Sequence, residues 1–268
     1  MAAITAAMVK ELRDKTDAGM MDCKKALAET DGNMEAAVEY LRKNGIAKAG
    51  KRSERSTKEG RIYIAADGNK AVMVEVLSET DFVASNEKFQ EYVKAAAGRV
   101  LAGTTGNGDI TAQALEIEKD NIVQLAATLG ENIQLRRAVR METEGKLASY
   151  MHMGGKLCVM VEADGEIPAD LELTDICMHI TVYDPTYICS CEIPAEAVAK
   201  ERELAAAELA GKPANIIEKI LDGKIQKWYT EVCLVNQPWF NDDKTCLAKL
   251  APKMNIKKFI RWKVGQEL

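Results

Sequence analysis

The sequence is poor in the residues from which most enzyme and ligand sites are built. Its 268 residues include two His and four Phe, and aromatics make up 5%. With His152 and His179 as the only imidazoles, zinc binding and general-base chemistry have little to draw on. No apolar run approaches the ~18 residues that suggest a membrane span. The opening MAAITAAMVKELRDKT turns charged too early for a secretory leader. A cytoplasmic protein without a membrane partner is therefore expected. The seven Cys (23, 158, 177, 189, 191, 233, 246) form no CxxC and read as small hydrophobes in a reducing compartment. Positive charge is not in excess either. A net charge of -5 supplies no global field for phosphates, so nucleic acid is not an expected partner. There is no P-loop, no GxGxxG after a strand, no GxSxG and no HExxH. These absences describe a chain that binds rather than reacts: no enzyme, no cofactor, no metal site and no small-molecule substrate. A thiol enzyme on Cys189 or Cys191 is the alternative, and alkylation would test it.

What is present is ordinary globular material, 47% hydrophobic and 29% charged, enough for one large or several small domains. Residues 1–45 read as three short helices. Thr5 caps the first, with Ile4, Met8 and Leu12 at four-residue steps. Met20, Cys23 and Leu27 share a face of the second. Asn33 caps the third, where Met34, Ala37, Val38 and Leu41 form the stripe and Asn44-Gly45 the stop. Residues 46–60 carry Lys48, Lys51, Arg52, Arg55 and Lys58 without apolar periodicity and read as a basic linker, solvated or in touch with an acidic or RNA surface. Then a repeat appears. YIAADGNKAVMVE (63–75) and YMHMGGKLCVMVE (150–162) align without a gap, each a strand, a glycine turn and a second strand. Each is followed by a helix, near 86–102 and 170–182. The expected fold is therefore α+β, with two related hairpin-plus-helix subdomains over 61–143 and 144–268. Residues 194–229 add a helical hairpin turning at Gly211-Lys212-Pro213, with Ile217, Leu221, Ile225 and Trp228 on one face. A helix capped by Thr245 and the strand KKFIRWKV close the chain.

One stretch resists this scheme. In VMVEVLSETDFVASNEKF (72–89) a strand breaks into polar residues, and Phe82 stands in the break beside Asp81. Asn86 caps the next helix, whose buried face is Phe89, Val93, Ala96 or Ala97, and Val100. Phe82 lies too far upstream to staple that helix. It either folds back into the core or stands out as a rigid aromatic anchor for another protein.

LRDKTDAGMMDCKKAL resembles the opening signature of the elongation factor Ts family, and TDFVASN resembles its second. LGENIQLRR, SYMHMGGKLCVMVE and GKPANIIEKILDGKIQKWYTEVCLVNQPWFNDDKT match further family blocks in order and spacing, so the resemblance covers nearly the whole chain. It implies an N-terminal module of ubiquitin-associated type, two related core subdomains and a projecting helical hairpin. It also implies guanine-nucleotide exchange on the GTPase elongation factor Tu. On that likeness Thr80, Asp81, Phe82 and Val83 intrude beside the nucleotide site and disturb its Mg²⁺. Leu129, Gly130 and His152 make further contacts, and Lys24 holds the N-terminal module on the GTPase. His152 replaces the Ala65 of the first hairpin, so it is either a contact or a solvated turn residue. The alternative is a partner or chaperone of a translational GTPase that does not exchange nucleotide. The sequence departs from the family at Asp17, where Gly is usual, and at Ser85, where a basic residue is common. Many members also continue beyond KVGQEL into a short helical module.

Overall fold

Three helices come first. α1 (Ala6–Thr16) starts at Thr5, whose Oγ1 accepts the Met8 amide at 3.3 Å. α2 (Met20–Glu29) and α3 (Met34–Arg52) follow, and Asn33 Oδ1 caps the latter on the Ala36 amide at 3.0 Å. The structure, a computed structural model, describes residues 4–16, 18–207, 209 and 214–267, without the side chains of 46–51 and 214–216. Asp17 and the Gly211-Lys212-Pro213 turn lie outside the described residues, as do the side chains of Lys48 and Lys51. Leu12, Cys23, Ala26, Leu27 and Ala37 form the module's small core, with Ile4, Met8, Met34 and Leu41 packed on it. Met20 (56% exposed) and Val38 (38%) do not join it. A core this small has no room for every apolar residue of its helices.

α3 does not stop at Asn44-Gly45 but continues to Arg52, through the first part of the segment expected to be an irregular linker. Gly45 serves packing here rather than termination: a Cβ on it would stand 2.8 Å from that of Ala127. Asn44 donates back along the helix to the Tyr40 carbonyl at 2.9 Å instead of capping an end. Past the helix, the Ser53 and Arg55 carbonyls accept from Asn132 Nδ2 at 3.2 and 2.8 Å, so this stretch is held to the body.

The chain falls into two compact units, with the three helices part of the first. The first holds the residues up to Glu142, Met153–Lys156 and the chain from Lys263; the second holds Thr143–His152 and Leu157–Trp262. In the first unit β1 (Glu59–Asp67) and β2 (Lys70–Ser78) form an antiparallel hairpin. After them come α4 (Asp81–Ala84), α5 (Glu87–Gly103), β3 (Gly108–Asp109), α6 (Thr111–Leu129) and β4 (Gln134–Glu142), giving the sheet order β1-β2-β4-β3. β2 is central and buried from Ala71 to Ser78, as its nearly unbroken apolar run dictates. Val72, Val74 and Val76 pack under Phe89, Val93, Ala97 and Val100 of α5 and under Ala114, Leu125 and Ala126 of α6. Each fully buried side chain of Val or Phe size contributes roughly 1.5–3 kcal/mol of transfer free energy. On the other face Glu75 is fully buried, and accepts from Arg136, Arg137 and the Gly265 amide.

The second unit contains β5 (Lys146–His152), β6 (Leu157–Gly165), α7 (Leu173–Tyr183), α8 (Ala195–Ala207) and α9 (Ala214–Val232). β7 (Pro238–Trp239), β8 (Asp242–Cys246), α10 (Leu247–Leu250) and β9 (Met254–Lys263) complete it, with sheet order β5-β6-β9 and a separate β7-β8 pair. Val159, Val161, Ile176, Ile180, Leu234, Trp239 and Leu247 make its core. α10 begins one residue later than Thr245 would place it: Cys246 takes the cap position, with no side-chain cap bond. In the helical pair α8–α9, Leu221 and Ile225 are buried, and Ile217 packs with Ala205 and Leu209.

The two hairpins are alike in elements but not in register. Tyr63 pairs with Val74, whereas its counterpart Tyr150 pairs with Val159, the counterpart of Val72. The second hairpin spends the difference on a longer turn across 153–156, and a slip of two keeps every side chain on its own face.

The structure also corrects the reading of the cysteines. Cys189 and Cys191 are joined in a disulfide across the short 3₁₀ turn Ser190–Glu192, which brings their Cα atoms to 5.3 Å. Cys23, Cys158, Cys177 and Cys233 are buried like small hydrophobes, and Cys246 is half-buried. Burial pushes the Cys177 thiol up to about 12, which leaves no thiolate for nucleophilic work.

Candidate partner-binding site

The break after β2 is a built turn. Ser78 Oγ donates to the Thr80 carbonyl at 3.0 Å, and Thr80 Oγ1 accepts from the Val83 amide at 3.3 Å, capping α4. The single turn of α4 ends where the Ser85 amide donates to the Asp81 carbonyl at 2.9 Å. Asn86 then caps α5 on the Lys88 amide at 2.9 Å, as its position in the sequence leads one to expect. Within α4 the residues divide by direction. Ala84 is fully buried and Val83 packs on the core, so they anchor the turn; Asp81 is exposed and Phe82 is 84% exposed. Phe82 thus points outward rather than folding back into the core.

The end of α6 lies against this turn. Leu129 packs on the core of the first unit, and Gly130 terminates the helix with φ +79 while its amide donates to the Ala126 carbonyl at 3.0 Å. That left-handed cap suits Gly, which has no Cβ to strain. Two carboxylates join the loops. Glu131 accepts from the Glu79 and Thr80 amides at 3.1 and 3.0 Å through Oε2, and from the Thr80 hydroxyl at 2.6 Å through Oε1. In return Glu79 accepts from the Asn132 amide at 2.7 Å and from Arg55 at 3.3 Å. The fold thus brings Thr80–Val83 and Leu129–Gly130 together, two blocks that the sequence offers only as separate matches. Glu79 and Glu131 escape a sequence reading, because a Glu in a polar break looks solvated until its distant partner is known.

The other site residues lie on other elements. Lys24 is exposed on α2, between the buried Cys23 and Ala26. Met21 is 77% exposed and Met20 56%, three and four residues before Lys24, so all three share an outer face. Neither Met is expected on that face from the sequence, although two adjacent Met at the start of a helix cannot both point inward. His152 belongs to the second unit; it is half-buried at the end of β5, its Nδ1 3.2 Å from the Tyr150 hydroxyl. Among the described residues no cluster of three His, Cys, Asp or Glu side chains could hold a metal, and no helix is long and apolar enough to cross a membrane. A cleft of about 600 Å³ in the first unit is lined by Lys70 and Arg140 against Asp67 and Glu142, so its charges cancel.

The comparisons with known proteins agree with the motifs. The family model described as Elongation factor TS matches residues 79–266 and begins at the clasped turn itself. The elongation factor Ts of Thioalkalivibrio sulfidiphilus (strain HL-EbGR7) is 44% identical over 275 aligned residues, covering 98% of this chain and 92% of that protein. The elongation factor Ts of Trichlorobacter lovleyi (strain ATCC BAA-1151 / DSM 17278 / SZ) is 41% identical over 293, covering 99% and 94%.

Proposed function

The chain belongs to the elongation factor Ts family, and from that premise we propose that it is the guanine-nucleotide exchange factor of elongation factor Tu. It binds the GDP form, perturbs the Mg²⁺ and phosphate site, and so releases GDP for replacement by GTP. The observation that carries this reading is Phe82, 84% exposed at the tip of a turn whose mount is capped and buried. A rigid aromatic presented in this way is the residue type that dominates interface energies. Asp81 beside it brings a carboxylate toward a hard cation, Mg²⁺, that otherwise neutralises the nucleotide phosphates. Thr80 and Val83 complete the inserted turn, Leu129 and Gly130 flank it, and Lys24 and His152 supply further contacts.

Exchange requires only that the factor bind the empty GTPase better than the loaded one, and the coupling is reciprocal, so incoming nucleotide expels the factor in turn. No bond is made or broken by this chain, and no cofactor or metal of its own is needed. Its working place is the cytoplasm, where the GTPase acts. The experiment is stimulated release of fluorescent GDP from elongation factor Tu. Phe82→Ala should slow it by roughly 1–3 kcal/mol, about five- to a hundred-and-fiftyfold. Its melting temperature should not move, because the ring is exposed. A folded variant with normal exchange would remove Phe82 from the site. If the unaltered chain bound the GTPase without speeding release, it would be a non-exchanging partner instead.

A further inference from the structure

We infer that Glu131 is a positioning residue for exchange: its carboxylate sets the direction of the Asp81-Phe82 tip by clasping the end of β2 to the end of α6. The inference rests on the reading of that tip as the part inserted into the GTPase. A carboxylate offers about four lone-pair sites, and Glu131 uses three on one short segment, two backbone amides and the Thr80 hydroxyl. The hydroxyl has one proton. Giving it to Glu131 fixes the rotamer of Thr80 and turns a lone pair toward the Val83 amide, the bond that starts α4. Glu131 therefore governs Thr80, Thr80 starts α4, and α4 aims Phe82.

The tip depends on this chain of bonds. One helical turn does not sustain itself, and Asp81 and Phe82, both exposed, have no core packing to hold them. Bonds to an ionised acceptor are about twice as strong as neutral ones. The body of the unit has its own ties at this point: Glu79 to the Asn132 amide, and Asn132 Nδ2 to the Ser53 and Arg55 carbonyls. Removing the Glu131 carboxylate thus loosens the start of the turn at Thr80, while its end stays held by Val83 and Ala84 in the core and by Arg61 on the Ala84 carbonyl, and the strand and helix ends remain joined.

The test uses the full chain with elongation factor Tu carrying fluorescent GDP. Glu131→Ala should lower the maximal release rate about tenfold, the scale of a small misplacement of a positioned group, with a smaller change in the half-saturating concentration. Glu131→Gln, which keeps an acceptor oxygen for the two amides but turns an N–H rather than a lone pair toward the Thr80 hydroxyl, should recover only part of the rate. The double variant with Phe82→Ala should be no slower than Phe82→Ala alone, because both act through one tip. A role in stability only would leave the maximal rate of the folded fraction intact, or would add to the Phe82 effect, and either result overturns the inference. Should Glu131→Ala not stay folded at the assay temperature, Thr80→Val, which removes both the hydroxyl's link to Glu131 and its cap on the Val83 amide, must give at least a comparable fall; an unchanged rate overturns the inference again. Slow exchange by Phe82→Ala with normal exchange by Glu131→Ala sinks this inference alone. Normal exchange by Phe82→Ala removes the exchange-site reading and this inference with it.

Discussion

Glu75 and Phe82 lie only a few residues apart and invert the usual partition of side chains: the carboxylate is fully buried and the aromatic ring 84% exposed. Removing an ion from water is costly and is offset only by a full set of partners. Glu75 has Arg136, Arg137 and the Gly265 amide. Glu75→Ala should therefore cost about 3 kcal/mol, since two guanidinium groups lose their counter-ion. Urea unfolding would read this, and Glu75→Gln, which keeps an acceptor, should cost less. At this scale the sequence is legible where the cause is local. Thr5, Asn33 and Asn86 announce their caps because a short polar side chain before a helical period has one obvious use. Whether Phe82 points in or out is not a local matter. It follows from Val83 and Ala84 taking the inward positions of a turn only four residues long.

At the scale of elements, periodicity carries most of the fold. The face Phe89, Val93, Ala96, Ala97 and Val100 of α5 is buried throughout, as a 3.6-residue repeat requires, and both hairpins form where alternation and glycine turns place them. The end of α3 and the register of the second hairpin are not legible in this way. A Gly after Asn reads as a helix stop, but Gly also allows close approach, and only Ala127 of α6 decides between the two. The direct consequence is that Gly45 should not tolerate bulk. Gly45→Leu gains helix propensity of a fraction of a kcal/mol yet must force α3 away from α6. The expected outcome is a net loss of stability, with faster amide exchange in α3 beyond residue 45, measured by hydrogen exchange. The site follows the same logic. Its two loops are visible in the sequence as blocks, but their union through Glu131 and Glu79 spans some fifty residues and leaves no periodic trace.

At the scale of the whole molecule, two buried titrating groups set how stability responds to acid. His179 of α7 is fully buried and stacked between Tyr183 (4.7 Å) and Trp239 (4.9 Å). Gln237 donates to the Tyr183 and Glu231 carbonyls, so its Oε1 must accept from His179 Nε2 at 3.0 Å, leaving Nδ1 bare and buried. Burial holds the imidazole below its ordinary value, partly opposed by Gln237. The unfolded chain therefore binds the proton first, and stability falls as pH drops below about 6.5, the unfolded value, toward the lower folded one. Burial alone would raise Glu118, but hydrogen bonds from Arg99 and Tyr92 and the Arg99 charge hold it below the usual carboxylate range, so its contribution is lost only in stronger acid. Melting temperatures recorded from pH 7.5 to 5.0 should decline, and His179→Phe, which keeps a stacked ring, should flatten the slope. The route of the chain adds a matter of timing. The first unit takes its last pieces from beyond Lys263, where the Gly265 amide meets Glu75 and the Gln266 carbonyl accepts from Arg136. On the ribosome, β2 emerges long before those partners exist. Synthesis of the 190 residues that separate Glu75 from Gly265, at ~10 residues per second, takes on the order of twenty seconds. Until then the nascent chain carries a core strand whose central charge is only partly answered, so the first unit, although first to be made, is last to be finished.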